Sequence, residues 1–375
     1  MTNTAAPSPG IFLDSLPAWA TELVRAVTAK QANAFVLHGV PADLVPVRGS
    51  SGLRFLSLEE FLVGQLFAGW QSIVTYNRAE GLGFATPAAR SHFQERLRAY
   101  DSVHGTTWSE GLPRDAPNCF ALLDSYFRHC ASLQPARPVA LLLPFAETVV
   151  PNADVAYRTP EDRAVLVYLR KWSQDPVLLA KNVVVVLVTE SLAELDPKLL
   201  RAHSTREVEI LRPDQAERLT YLEAVRGPEW YSAKSELPPP RLAELTAGMT
   251  RVQLGQLLDG ADANAERLTR DRVRSVKKEV IETEGLGLLE YLEPKFDLSM
   301  VAGMPAVKDR LRRAARAIAR GNPAAVPMAG CRKESGARSG SLSVPPAPHC
   351  RSWSSCRYWL KRAECRPSRG RDGLW

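Results

Sequence analysis

The sequence predicts an α/β fold: a parallel five-stranded sheet with flanking helices over residues 1–212, followed by a small all-helical domain over 213–290. Three observations predict it. Short apolar runs at 34–38, 72–76, 139–143, 182–188 and 208–211 alternate with stretches whose apolar residues recur at helical spacing. The run Val139-Ala140-Leu141-Leu142-Leu143 is apolar on both faces, as a parallel strand covered by helices on both sides must be. Beyond Pro213 only helical spacing remains.

In chain order, Leu16, Trp19, Leu23 and Val27 define a first helix, with Asp14 or Ser15 as candidate caps and Pro17 suited to its first turn. The strand at 34–38 ends in Gly39. Leu58, Phe61, Leu62, Leu66 and Phe67 make the next helix, 72–76 the second strand and 88–100 another helix. Residues 101–117, rich in Gly, Pro and polar side chains, read as a loop, and 119–133 returns to helical spacing. A helix around 162–172 separates the third strand from the fourth, which is rich in β-branched residues, and a shorter fifth strand follows. The helical domain carries segments at 214–225, 241–247, 252–258 and 269–283, with Pro238-Pro239-Pro240 as a stiff joint. In the last segment Val273, Val276 and Val280 form one stripe, while Arg272, Arg274, Lys277 and Lys278 make a solvated charged face.

The last 45 residues differ in kind from the rest. Residues 331–375 hold 10 Lys/Arg against 3 Asp/Glu, and the remaining 38 basic and 38 acidic residues cancel, so the net charge of +7 comes from the tail. A nucleic-acid reading built on overall charge therefore loses its support. His349, Cys350, Cys356 and Cys365 have no paired Cys-x-x-Cys spacing that presets a metal site, so no metal is expected. Cys119 and Cys130 are the only cysteines before the tail, which argues for a reducing compartment. The start of the chain lacks the basic-then-apolar pattern of a leader, and the longest apolar run, Val183–Val188, is far short of a bilayer span. A cytoplasmic protein without membrane contact is expected.

Several patterns carry a family resemblance. Leu195-Asp196-Pro197-Lys198-Leu199-Leu200-Arg201, then residues 206–210 and Pro213-Asp214-Gln215-Ala216-Glu217-Arg218, resemble the series that AAA+ ATPases write after their fourth strand. Leu242-Ala243-Glu244-Leu245-Thr246-Ala247-Gly248-Met249 is similar to the opening of that family's helical lid, and 254–258 to its next helix. Phe296-Asp297-Leu298-Ser299-Met300-Val301-Ala302-Gly303-Met304, with Val307, Lys308 and Leu311, is similar to the segment that opens a second AAA+ module. The resemblance implies a P-loop-NTPase-like sheet with a lid, ATP and Mg²⁺ as the family's cofactors, and assembly with other AAA+ modules in a homo-oligomer that remodels a protein substrate.

The departures bear on activity. A phosphate loop, Gly-x4-Gly-Lys-Ser/Thr, needs glycines so that amides can surround phosphates and a lysine to neutralise them. After the first strand stands Gly39-Val40-Pro41-Ala42-Asp43-Leu44-Val45-Pro46, with one glycine, no lysine and a carboxylate where anions would sit. Gly49-Ser50-Ser51-Gly52-Leu53-Arg54 does not supply the pattern either. Gly39 is the one candidate cofactor-binding position. Where the family places its Asp–Glu pair for Mg²⁺ and water, Pro144-Phe145-Ala146-Glu147 leaves only Glu147 to stand in; a lone surface glutamate reads the same way. Thr189 stands where the family orients water, or caps the next turn. Arg201 and Arg206 flank the place of the family's neighbour-directed arginines, and also fit exposed surface positions.

A first module without hydrolysis is thus expected, with residues 291–330 as linker and start of a second module that would carry ATP binding. The family-like text ends near Met328, and 331–375 reads as an aberrant, unfolded tail, an out-of-frame or truncated end. Two rivals remain: an active ATPase using Glu147, Thr189 and an arginine, and a nucleic-acid binder using the tail and the helix 307–320. That helix sets Val307, Leu311, Ala314, Ala315 and Ile318 on one stripe with six cations around it.

Overall fold

The computed structural model describes residues 16–49, 52–154, 156–202, 204–263, 266–284 and 303–319. Among them, six strands form one sheet: β1 (Ala34–Gly39), β4 (Ser72–Asn77), β5 (Gly81–Phe84), β6 (Val139–Leu143), β7 (Val183–Val188) and β8 (Thr205–Ile210), in the order β5-β4-β6-β7-β1-β8. All pairings are parallel except β4 with β5. A separate antiparallel hairpin, β2 (Val45–Gly49) with β3 (Gly52–Leu56), follows β1.

Strand periodicity sorts the side chains onto two faces. Val36, Val74, Leu141, Leu143, Val185 and Leu187 point into one core. Helices α3 (Pro87–His104), α4 (Ala116–Ser132) and α6 (Pro160–Ser173) cover it. Trp172 stacks on Phe120 with ring centroids 5.3 Å apart and meets Phe127 edge-on at 4.8 Å. Phe35, Leu37, Ala140, Leu142, Val184, Val186, Val208 and Ile210 point into the other. Over that face lie α1 (Ala18–Thr28) and α2 (Leu58–Phe61), the latter extended by a π-turn through Leu62–Leu66. The central strands are thus buried on both faces, which is why they read as continuous apolar runs.

Short helices join the layers: α5 (Ala146–Val149), α7 (Pro176–Ala180) and α8 (Pro197–Leu200). Asp196, itself buried, accepts the Lys198 N–H at 2.8 Å at the start of α8 and pairs with half-buried Arg158 at 2.5 Å. That gives the Leu-Asp-Pro motif a structural reason. The helical domain comprises α9 (Gln215–Val225), α10 (Pro228–Lys234), α11 (Pro239–Leu245), α12 (Arg251–Ala263) and α13 (Arg270–Glu284). Buried Arg218 ties it together, donating from Nε to the Ala243 carbonyl at 3.0 Å and from its guanidinium to the Pro213 carbonyl at 2.5 Å. Residues through Arg274 form one compact unit and Ser275 onward a second, to which α14 (Pro305–Ala319) belongs. On α14, Val307 and Leu311 are exposed. No helix among the described residues is long and apolar enough to cross a membrane.

The sheet differs from the five-stranded expectation by its antiparallel edge strand β5, and the fifth predicted strand begins earlier, at Thr205. Pro238-Pro239-Pro240 is no joint: Pro238 is the N-cap and Pro239 the first residue of α11, because proline's fixed φ suits a first helical turn. The expected loop 101–117 is shorter, since α3 runs to His104 and α4 starts at Ala116. Pro17 is itself the N-cap of α1, and Asp14 and Ser15 lie outside the described residues. So do most of 291–330, the tail 331–375 and the side chains of Ala314, Ala315 and Ile318.

Candidate functional site

The topology places one crevice. From β1 the chain passes over β7 and β6 to reach β4, whereas from β7 it crosses β1 to reach β8. The connection leaving β1 carries α2 on one face; that leaving β7 carries α8 on the other. Neighbouring strands whose connections part in this way leave a gap beyond their carboxyl ends, where ligands of open α/β sheets bind. Gly39, Thr189 and the segment Pro144–Glu147 all stand at that end of the sheet.

The loop leaving β1 turns its amides inward. Gly39 donates to the Glu190 carbonyl, Val40 to the Ile210 carbonyl and Asp43 to the Val40 carbonyl, each at 3.1 Å, and Pro41 has no N–H. Gly39 has φ +107°, and a Cβ there would lie 2.5 Å from the Ile210 carbonyl oxygen. The tight crossing beside β8 therefore requires a glycine here, whatever else the position does. In place of a long helix, the hairpin β2–β3 follows and reaches the helical domain, with Phe55 edge-on to Tyr221 of α9 at 4.8 Å. Burial pushes the Tyr221 phenol up, and the carboxylates of Asp259 and Asp43 add to the shift.

Asp43 points at the first turn of α12. One carboxylate oxygen accepts the N–H of Arg251 at 2.6 Å and of Val252 at 3.3 Å, and the other accepts from the Arg251 guanidinium at 2.9 Å. The two side chains are 2 % and 4 % exposed. Arg251 also donates to the Leu44 carbonyl at 3.3 Å and pairs with Glu217 at 3.3 Å, yet its buried Nε has no partner. The helix opens with a capping box: Gln253 N–H donates to Thr250 Oγ1 at 3.2 Å, and Thr250 N–H to Gln253 Oε1 at 2.9 Å. Every one of the first three helical amides therefore has an acceptor.

The other expected residues fall in two places. Glu147 lies in the first turn of α5, half-buried, with Oε2 buried and unpartnered. The residue before that helix, Phe145, is 65 % exposed and left-handed at φ +55°, an unusual conformation for a bulky side chain. Thr189 is buried beyond β7; its N–H donates to the Leu37 carbonyl at 3.0 Å and its hydroxyl to the Ser191 carbonyl at 3.4 Å, a turn-bonding role. Arg206 stands beside Phe35 at the opposite end of the sheet from Gly39, which is paired with Ile210. It is held there by Gln31 and by Glu22 at 3.3 Å. Arg201 is exposed at the end of α8, just before β8 begins. The structure brings Gly39, Thr189 and Glu147 to one end of the sheet and Arg206 to the other.

As built, these residues do not fit a magnesium triphosphate. The loop offers no lysine, three of its amides are committed to carbonyls, and the lid's own cation is neutralised by Asp43. No cluster of three or more His, Cys, Asp or Glu suited to a metal exists among the described residues. Sequence reasoning singled out Asp43 as hostile to phosphate but missed Arg251. The sign was present in Thr250-Arg251-Val252-Gln253, whose capping-box spacing starts the helix at Arg251, one residue before the expected start.

Comparison with known proteins accords with this architecture. Residues 6–211 match the N-terminal Rossmann-like domain of AAA+ chaperones, and 216–285 match their second helical domain. No curated protein matches the sequence. Among solved structures, a chain in the HORMA:CdnC:Trip13 complex of E. coli MS115-1 is similar at 16 % identity and a TM-score of 0.38, over 70 % of this chain and 77 % of that one. Because the first of the two domain matches alone spans more than half its length, the chain belongs to the AAA+ chaperone family.

Proposed function

We propose that this chain is a non-hydrolysing assembly and regulatory module of an AAA+ chaperone. It packs against other AAA+ modules in a cytoplasmic homo-oligomer acting on a protein substrate, and a second module supplies ATP binding and hydrolysis. The observation that carries this reading is the fate of the loop after β1: where phosphate would sit, Asp43 is buried against Arg251. A dianionic phosphate brought to that point meets a like charge and finds the opposing cation already paired, and phosphoryl transfer depends on such cations for charge neutralisation. Arg206 stands at the end of β8 away from the crevice, which suits contacts to a neighbouring module better than chemistry in its own crevice.

Calorimetry with Mg-ATP on the full chain tests the reading. No isotherm up to millimolar nucleotide is expected, and no turnover above buffer. Micromolar binding overturns it and favours an active site built on Glu147, whose unpartnered buried oxygen is the observation on that side. In that case Glu147→Gln abolishes turnover while binding persists.

A further inference from the structure

We propose that His92, Arg96, His129 and Arg137 form a binding site for a small tetrahedral oxyanion of the phosphate or sulfate class. The site lies at the amino ends of β4 and β6, at the opposite end of the sheet from the crevice, and does not rest on the nucleotide reading. His92 Nδ1 is 2.8 Å from the Tyr126 hydroxyl, which donates to Ser72 Oγ at 2.9 Å, and Ser72 opens β4. Arg96 follows His92 by one turn of α3. His129 stands in the last turn of α4, its ring stacked on that of His92 at 6.0 Å, and Arg137 comes just before β6. All four residues are half-buried. Counter-charge is what the cluster lacks. Among the described residues neither Arg96 nor Arg137 has a side-chain hydrogen bond or ion pair, and Arg96 Nε is buried without an acceptor. The end of α4 does not need them as caps: its His129 carbonyl accepts from Ser132 Oγ at 2.7 Å and its Cys130 carbonyl from the Arg137 amide at 3.1 Å. Glu95, exposed on α3, is the carboxylate that acts on both rings, while burial raises the pKa of Tyr126 and Cys130 and keeps them neutral. Burial lowers the pKa of both histidines; Arg137 and His129 push His92 further down, and Arg96 and Arg137 do the same to His129. Two unpaired guanidiniums beside two imidazoles repel one another until an oxyanion takes their N–H groups.

An anion held among these groups raises the pKa of both imidazoles, so it binds the protonated rings better and its affinity grows as pH falls. Sulfate is the probe, because its own charge is constant over the range in which histidine titrates. On the full chain, the ring Cε1–H NMR signals of His92 and His129, assigned through His92→Gln and His129→Gln, are followed against pH in sulfate and in chloride of equal ionic strength. Sulfate is expected to raise both pKa values by about one unit or more, and its affinity to fall about tenfold or more between about pH 5.5 and 8. Arg96→Gln and Arg137→Gln are each expected to weaken sulfate about tenfold or more, with unchanged signals of His38 and His104 as the check on folding. Inorganic phosphate set against O-phosphoserine at about pH 6 separates the two sources of such an anion: tighter phosphate assigns a free ion, tighter phosphoserine a phosphoryl group carried on another molecule. Histidine titrations identical in sulfate and chloride, or sulfate binding undiminished in the folded arginine variants, overturn the proposal.

Discussion

Single side chains set the reactivity of the body. Burial pushes the Cys119 thiol up to about 12, with Asp115 nearby adding to the shift, and Cys130 up to about 11 for the same first cause. Both are free and buried, and Cys119 donates to the Pro113 carbonyl at 3.1 Å. A thiol must ionise to react, so at pH 8 iodoacetamide should leave both unlabelled in the native chain and label both in urea, as peptide mass mapping reads out. Asp101 is the opposite case. Burial acts to raise its pKa, but hydrogen bonds from Ser109, Thr106 and the Trp108 amide outweigh it, and the carboxyl settles at about 2. A carboxylate depressed in the folded state contributes stability that is full above its unfolded value of about 4 and is lost as pH falls toward 2. Asp101→Asn should therefore flatten the acid limb of a stability-against-pH curve between those values, measured by urea unfolding, and loosen the turn from Gly105 to Ser109 that Asp101 organises.

Elements were legible in the sequence to the degree that burial was two-sided. β1, β6 and β7 stood out because nearly every residue in them is covered. β2, β3 and β5 did not, since they are short, carry Pro46 or glycines and keep several residues half-exposed. The short helices α7 and α8 left a readable sign that went unused: Asp175-Pro176 and Asp196-Pro197 each put a capping carboxylate before a first-turn proline. Two substitutions weigh local geometry against packing. Gly39→Ala places a methyl against backbone that has no room to give and forces an unfavourable φ, so a loss of about 2 kcal/mol or more is expected in denaturant unfolding. Thr250→Ala removes one half of the capping box of α12 and should cost about 1 kcal/mol, with Thr250→Ser recovering most of it. Gly39→Ala failing to destabilise would mean that β1 and β8 separate more easily than their register implies.

At the scale of the molecule, the fold was readable because alternation of strand and helix is a pattern along the chain, whereas the site is a pattern across it. The missing glycine–lysine loop and the awkward Asp43 could be seen by inspection; its partner lies in another domain, and nothing local to Arg251 announces which carboxylate it will meet. The same arrangement fixes how the whole body should answer to nucleotide. Any ligand that binds only the folded chain raises its stability by RT ln(1 + [L]/Kd), about 2.7 kcal/mol at a hundredfold excess over Kd. For a unit of this size each kcal/mol moves Tm by about 2 °C, so 1 mM Mg-ATP acting at a 10 µM site would raise Tm by about 5 °C. With Arg251 already paired to Asp43, the wild-type chain should shift by less than about 1 °C in Mg-ATP, the bound implied by a Kd of about 1 mM or weaker. Differential scanning calorimetry at fixed ionic strength, with Mg-AMP as the control for nonspecific anion effects, separates the two cases. A shift of several degrees specific to the triphosphate would place a working nucleotide site somewhere in this unit and remove the reason for reading it as a nucleotide-independent module.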